Sequence, residues 1–152
     1  MGEQKGGATR RAVVIGGLAA TIATEGVQAT PEQMRAAIRD VVGDSPVRKG
    51  RVQLDVPPIV ENGNTVSLVV AVDSAMTATD YVKKIHVFNE KNPQPYVIAA
   101  HVGPRAGKAK IATRIRLADS QTLTAIAEMS DGTFWSASTD VVVTLAACVE
   151  GI

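Results

Sequence analysis

The chain has a single cysteine, Cys148, among 152 residues. An internal disulfide is therefore excluded, and apolar packing must hold the fold together. Aromatic residues are scarce as well, at 3%, so Val, Ala, Ile and Leu have to fill the core. Neither sign of charge dominates: the formal net charge is +1, and no clustered basic excess points to nucleic acid or an anionic membrane. Glycine loops of the phosphate-binding kind are missing. The two histidines, His86 and His101, show no ligand spacing with other residues, so neither a metal centre nor a cofactor is expected. No nucleophile, base and orienting acid can be assembled into a catalytic set, which argues against a stand-alone hydrolase. Catalytic residues: none are expected.

What is present begins with a leader. Two adjacent arginines, Arg10 and Arg11, stand directly before an apolar stretch from Ala12 to Ile22. That stretch is too short and too rich in Gly and Ala to span a membrane. Val27-Gln28-Ala29 then supplies small residues at a cleavage position, so residues 1–29 read as an export signal of the twin-arginine type and Thr30 as the mature N-terminus. The expected location is periplasmic. Removing the leader leaves equal numbers of acidic and basic side chains.

The mature chain opens on a helix. Thr30 can cap it, Pro31 suits its first turn, and Gln33 completes a capping box. Met34, Ile38 and Val41 follow at helical spacing, and Gly43 ends the run. Beyond it the pattern changes to period two. Strands are predicted at Arg51–Asp55, Thr65–Asp73, Tyr81–Asn89, Tyr96–Val102, Ala109–Leu117, Gln121–Met129 and Thr133–Leu145, the last long enough to bend or break near Ser138. Asn62-Gly63-Asn64, Asn92-Pro93-Gln94-Pro95, Gly103-Pro104 and Asp131-Gly132 read as turns, the last as a hairpin. Val66, Leu68, Val70 and Val72 alternate with small residues, while Ile111, Thr113 and Ile115 alternate with Arg114 and Arg116, which should meet water or a partner. About seven short antiparallel strands predict an all-β, immunoglobulin-like sandwich over residues 30–145, with an N-terminal helix and a flexible C-terminal arm over 146–152.

Cys148 follows the last predicted strand closely. One reading makes it a tethered thiol, a soft nucleophile able to hold cargo through a sulfur–sulfur bond. The other makes it a small apolar side chain packed at a strand end.

Several segments together carry a family likeness: Val60-Glu61-Asn62-Gly63-Asn64, Val72-Asp73-Ser74-Ala75-Met76, Ile85-His86-Val87-Phe88, Thr113-Arg114-Ile115-Arg116-Leu117 and Glu128-Met129-Ser130-Asp131-Gly132. Phe134-Trp135-Ser136-Ala137-Ser138 completes the set. In these the chain resembles the SoxY family, the thiosulfate-oxidation carrier subunit of the SoxYZ complex. The resemblance implies a sandwich paired with a SoxZ-type subunit as a heterodimer. It implies a swinging arm whose cysteine, Cys148 here, covalently holds sulfur intermediates for periplasmic sulfur-oxidation enzymes that bind transiently. A carrier of this kind is not itself an enzyme. The alternative is a non-catalytic periplasmic binding or assembly module whose thiol is vestigial or repurposed.

The arm departs from the family pattern. In place of Gly-Gly-Cys-Gly-Gly the chain has Ala146-Ala147-Cys148-Val149-Glu150-Gly151-Ile152. Side chains on an arm stiffen and thicken it relative to glycine. Glu150 also puts a negative charge two residues from the thiol, which disfavours the thiolate and repels anionic cargo.

Overall fold

The structure, a computed structural model, describes residues 28–147. Most of the expected leader and Cys148 itself lie outside those residues. Helix α1 runs Pro31–Val42 and starts as its sequence dictates: the Thr30 hydroxyl accepts from the Gln33 amide at 3.3 Å, and the Gln33 side chain accepts from the Thr30 amide at 3.0 Å. Gly43 closes the helix at φ +60°, a region that favours glycine. Among the described residues no helix is long and apolar enough to cross a membrane.

Nine strands follow: β1 Val47–Lys49, β2 Val52–Asp55, β3 Ile59–Asn62, β4 Val66–Val72, β5 Val82–Asn89, β6 Tyr96–His101, β7 Ala109–Ile115, β8 Gln121–Met129 and β9 Phe134–Leu145. Seven of them are the expected strands, with ends shifted by a residue or two. β1 and β3 are additional. They form two sheets, one in the order β1-β9-β8-β5-β6 with β3 also on β9, the other β2-β4-β7. β9 does not break near Ser138. It changes partners instead, pairing antiparallel with β8 through Val141 and parallel with β3 from Val142 onward.

The core lies between the sheets. Val66, Leu68, Val70 and Val72 from β4 meet Ile85 and Val87 from β5 and Leu123, Ala125 and Ala127 from β8, all buried. Burying such side chains contributes roughly 1.5–3 kcal/mol each. The larger sheet is covered on its outer face too, where Met34 and Val42 of α1 pack on Phe88, Ile126 and Phe134. β5 is therefore buried on both sides and loses the simple alternation of a half-exposed strand. β7 keeps its expected outward polarity at its end, with Arg114 and, just past the strand, Arg116 exposed.

Candidate functional site

The end of β9 is fixed by a knot of backbone groups around Gly63. The Gly63 amide donates to the carbonyl of Leu145 at 2.8 Å, and the Gly63 carbonyl accepts from the Leu117 amide at 2.8 Å. The Leu117 carbonyl in turn accepts from the Ala147 amide at 3.1 Å. A β-carbon added to Gly63 would stand 2.3 Å from the Leu117 oxygen, 2.8 Å from the Ala147 nitrogen and 3.1 Å from a Val143 methyl. Glycine is required here because three backbones converge, and no turn dihedral enters into it. Asn62 supports the same corner, its side-chain oxygen accepting from the Asn64 amide at 2.9 Å.

Of the arm expected over 146–152, the structure describes Ala146 and Ala147. Ala146 is exposed; Ala147 is buried and tied to Leu117. Cys148, the one sequence-derived site residue, is covalently next but lies outside the described residues. The chain is thus held by the scaffold up to the residue immediately before the thiol. Asn62-Gly63-Asn64 has the composition of an ordinary turn, and nothing local in the sequence signals this convergence.

A second group of polar side chains gathers on the outer face of the larger sheet. His86 is buried, with its Nδ1 2.6 Å from the Tyr96 hydroxyl. Its Nε2 has no hydrogen-bond partner and faces a Glu128 oxygen at 3.8 Å. The arrangement favours the tautomer that carries the proton on Nε2, toward the carboxylate, with Tyr96 donating to Nδ1. Burial holds the His86 imidazole below the usual histidine range, outweighing the pull of Glu128. Burial would raise the Glu128 carboxyl, but the Lys83 ammonium 2.7 Å away prevails and holds it below the ordinary value. An acid beside His86 was invisible along the chain, because Glu128 reaches it only through the register that sets Lys84 opposite Glu128 on β8. His101 does not join the group; it is exposed at the end of β6, opposite Lys84. Among the described residues no nucleophile accompanies His86 at these distances, so the group is a structural cluster in which one buried ring nitrogen has no hydrogen-bond partner. Among the described residues no three His, Cys, Asp or Glu side chains assemble as a metal site.

Comparison with known proteins bears on the whole domain. The family described as sulfur oxidation protein SoxY matches residues 38–148, a span that runs through Cys148. No curated protein matches the chain. Among solved structures, the sulfur carrier protein SoxY from Chlorobium limicola f thiosulfatophilum is similar at 27% identity and a TM-score of 0.63, covering 75% of this chain and 98% of that one. A superoxide reductase (neelaredoxin) from Ignicoccus hospitalis is similar at 15% identity and a TM-score of 0.55, covering 77% of this chain and 95% of that one. The superoxide reductase from Nanoarchaeum equitans follows at 8% and 0.54, covering 63% and 100%. At such identities the two reductases share the sandwich and nothing more is carried over.

Proposed function

This chain belongs to the SoxY family of sulfur oxidation proteins, and on that premise we propose that it is a non-catalytic covalent carrier of sulfur intermediates, with Cys148 as the attachment point. The observation that carries the reading is the fixed root at Ala147. A carrier thiol has to leave a rigid body at a defined place, and the Gly63–Leu117–Ala147 knot supplies that place one residue ahead of the sulfur. The similar Chlorobium protein is named a sulfur carrier, in keeping with this role.

Loading with thiosulfate is an oxidation. The thiol loses its proton, a bond forms between Sγ and the outer sulfur of thiosulfate, and two electrons pass to an electron-accepting partner protein. The product is a thiosulfonate on Cys148. The chain supplies position and a nucleophile, and its partners supply the redox chemistry.

Two further elements belong to the proposal. Arg10-Arg11 and the apolar stretch after them direct export of the folded chain to the periplasm. A SoxZ-type subunit pairs with the sandwich as a heterodimer. Ile59 and Val142, register partners on β3 and β9, are 65% and 51% exposed and form an apolar pair suited to such an interface.

The test is mass spectrometry of the protein after incubation with thiosulfate and an electron-accepting partner. A carrier gains one thiosulfate unit, and Cys148→Ser abolishes the gain. Absence of any adduct with competent partners defeats the reading. The second reading, a binding or assembly module with a vestigial or repurposed thiol, is favoured by one observation: Ala147 is packed where the family pattern has a slender glycine. Undiminished sulfur oxidation in a strain carrying only Cys148→Ser would establish it.

A further inference from the structure

β7 ends the smaller sheet, paired with β4 alone, and β6 ends the larger sheet, paired with β5 alone. Between these two margins lies a cleft of about 490 Å³. Val97 and Ile98 of β6 give it an apolar floor, half-buried and packed on the core. Thr113 of β7 shares the inward parity of the buried Ile115 yet is exposed, because it lines this cleft.

The outward backbone groups of β7 can be assigned residue by residue. The Asp73 amide donates to the Arg51 carbonyl at 2.7 Å, toward β2. Backbone groups alternate along a strand, so those of Val72, Val70 and Leu68 point the other way, at β7. Their register partners Ala109, Ile111 and Thr113 point back at them. The amides and carbonyls of Lys110, Ala112 and Arg114 therefore face the open margin. Arg116 and Ala118 continue that series, and there the margin has a partner. The Asn92 side chain donates from Nδ2 to the Arg116 carbonyl at 2.7 Å and accepts at Oδ1 from the Ala118 amide at 3.0 Å. Those are the two bonds that one residue of a parallel neighbouring strand makes. Gln121 donates to the same Asn92 oxygen at 2.9 Å and holds this first rung in place.

The same margin carries charge of one sign. Lys108, Lys110, Arg114 and Arg116 are exposed, and among the described residues none lies within salt-bridge distance of a carboxylate. We propose that the outer edge of β7 is a strand-addition site for an extended acidic segment of a partner protein. Such a segment turns alternate side chains into the cleft, onto Val97 and Ile98, and the others outward beside Lys110 and Arg114. The chemistry recognised is an alternation of apolar and carboxylate side chains. Main-chain bonds hold the segment, and the cations select its charge. A second copy is disfavoured, because antiparallel pairing of two β7 strands about Ala112 sets Lys110 opposite Arg114. The inference is independent of the carrier reading and uses neither Ile59 nor Val142.

The probe is a capped peptide of alternating Val and Glu added to the full-length protein, with a Val and Lys peptide as its counterpart. Amide hydrogen exchange is the readout, because strand pairing protects amides that charge attraction alone leaves open. The Val-Glu peptide should slow exchange at Ala112 and Arg114 at least tenfold. Ile111 and Thr113, already bonded to β4, should change little. Lys110→Glu with Arg114→Glu should remove that protection and transfer it to the Val-Lys peptide, a swap that misfolding cannot produce. A fully N-methylated Val-Glu peptide keeps its charge, loses its ladder donors and should protect neither amide. Absence of protection, or equal protection by both peptides, overturns the proposal. Shifted Arg114 signals without slowed exchange at Ala112 do the same, since they mark attraction of charge only. Protection present before any peptide is added also overturns it. If that protection grows with protein concentration the occupant is a second copy, and if it does not the occupant is a segment of the same chain.

Discussion

A β-carbon on residue 63 would lie 2.8 Å from the amide nitrogen of Ala147, so the side-chain hydrogen of Gly63 is what allows the last described residue to seat against Leu117. Two segments 84 positions apart thereby determine together where the chain departs from the sandwich.

Replacing Gly63 with Ala should force that seat apart. The nearest atoms are backbone and cannot rotate away, so the expected loss of stability is about 1–3 kcal/mol, typical of overpacking. The signature is local: hydrogen exchange at the Ala147 and Leu117 amides should speed up far more than at Val87 or Ala125 in the core. The single tryptophan, Trp135, reports global unfolding in the same samples. Uniform acceleration across the domain, or none at Ala147, would contradict the knot.

Acid should weaken the fold through His86. Burial lowers the folded-state pKa of its imidazole, so the unfolded chain, titrating near the ordinary 6.5, takes up the proton first. Stability is therefore full above about pH 6.5 and falls as pH drops below it toward the lowered folded value. Tm should decline between pH 7 and pH 5. His86→Phe, which can stack with Phe88 and Tyr96 in the same place, should flatten that decline even if it lowers Tm throughout. An equal slope in wild type and variant would remove His86 as the cause.

The apolar pair Ile59 and Val142 should matter to assembly more than to folding. Lysine at both positions adds charge to side chains that are already more than half exposed. The isolated domain should then keep its unfolding free energy within about 0.5 kcal/mol of the original, as surface changes usually do. Association with a SoxZ-type subunit, followed by analytical ultracentrifugation, should weaken by at least tenfold. Unchanged association moves the interface elsewhere on the sandwich.

Much of the fold was legible because its signals are local. The capping box of Thr30 and Gln33 is a four-residue pattern, and the structure forms both of its hydrogen bonds. Asp131-Gly132 gives the β8–β9 hairpin, with Gly132 at φ +81° and the Asp131 carboxylate accepting from the Thr133 amide. β1 and β3 left no such mark. Both are short, lie close to prolines, and pair in parallel with β9 far along the chain, so no hairpin turn announces them. The same distance hid the site. Gly63 looks like any turn glycine until Leu117 and Ala147 are brought to it, and Glu128 meets His86 only across a strand register. For Cys148, spacing alone left handle and filler open, and the handle role is implied by family likeness only.

β9 draws β1, β3 and β8 together, two of them from the first third of the mature chain. Until Leu145 has been synthesised, β1 and β3 lack their partner strand and β8, paired with β5 on one side, has its other edge open. Folding of this domain is consequently a post-translational event, waiting on contacts of long sequence separation. A truncated product would be left with open sheet edges, recognisable to proteases and chaperones. Ala147 can take its seat against Leu117 only once β9 is in place, so quality control of the scaffold also guards the last described residue of the chain.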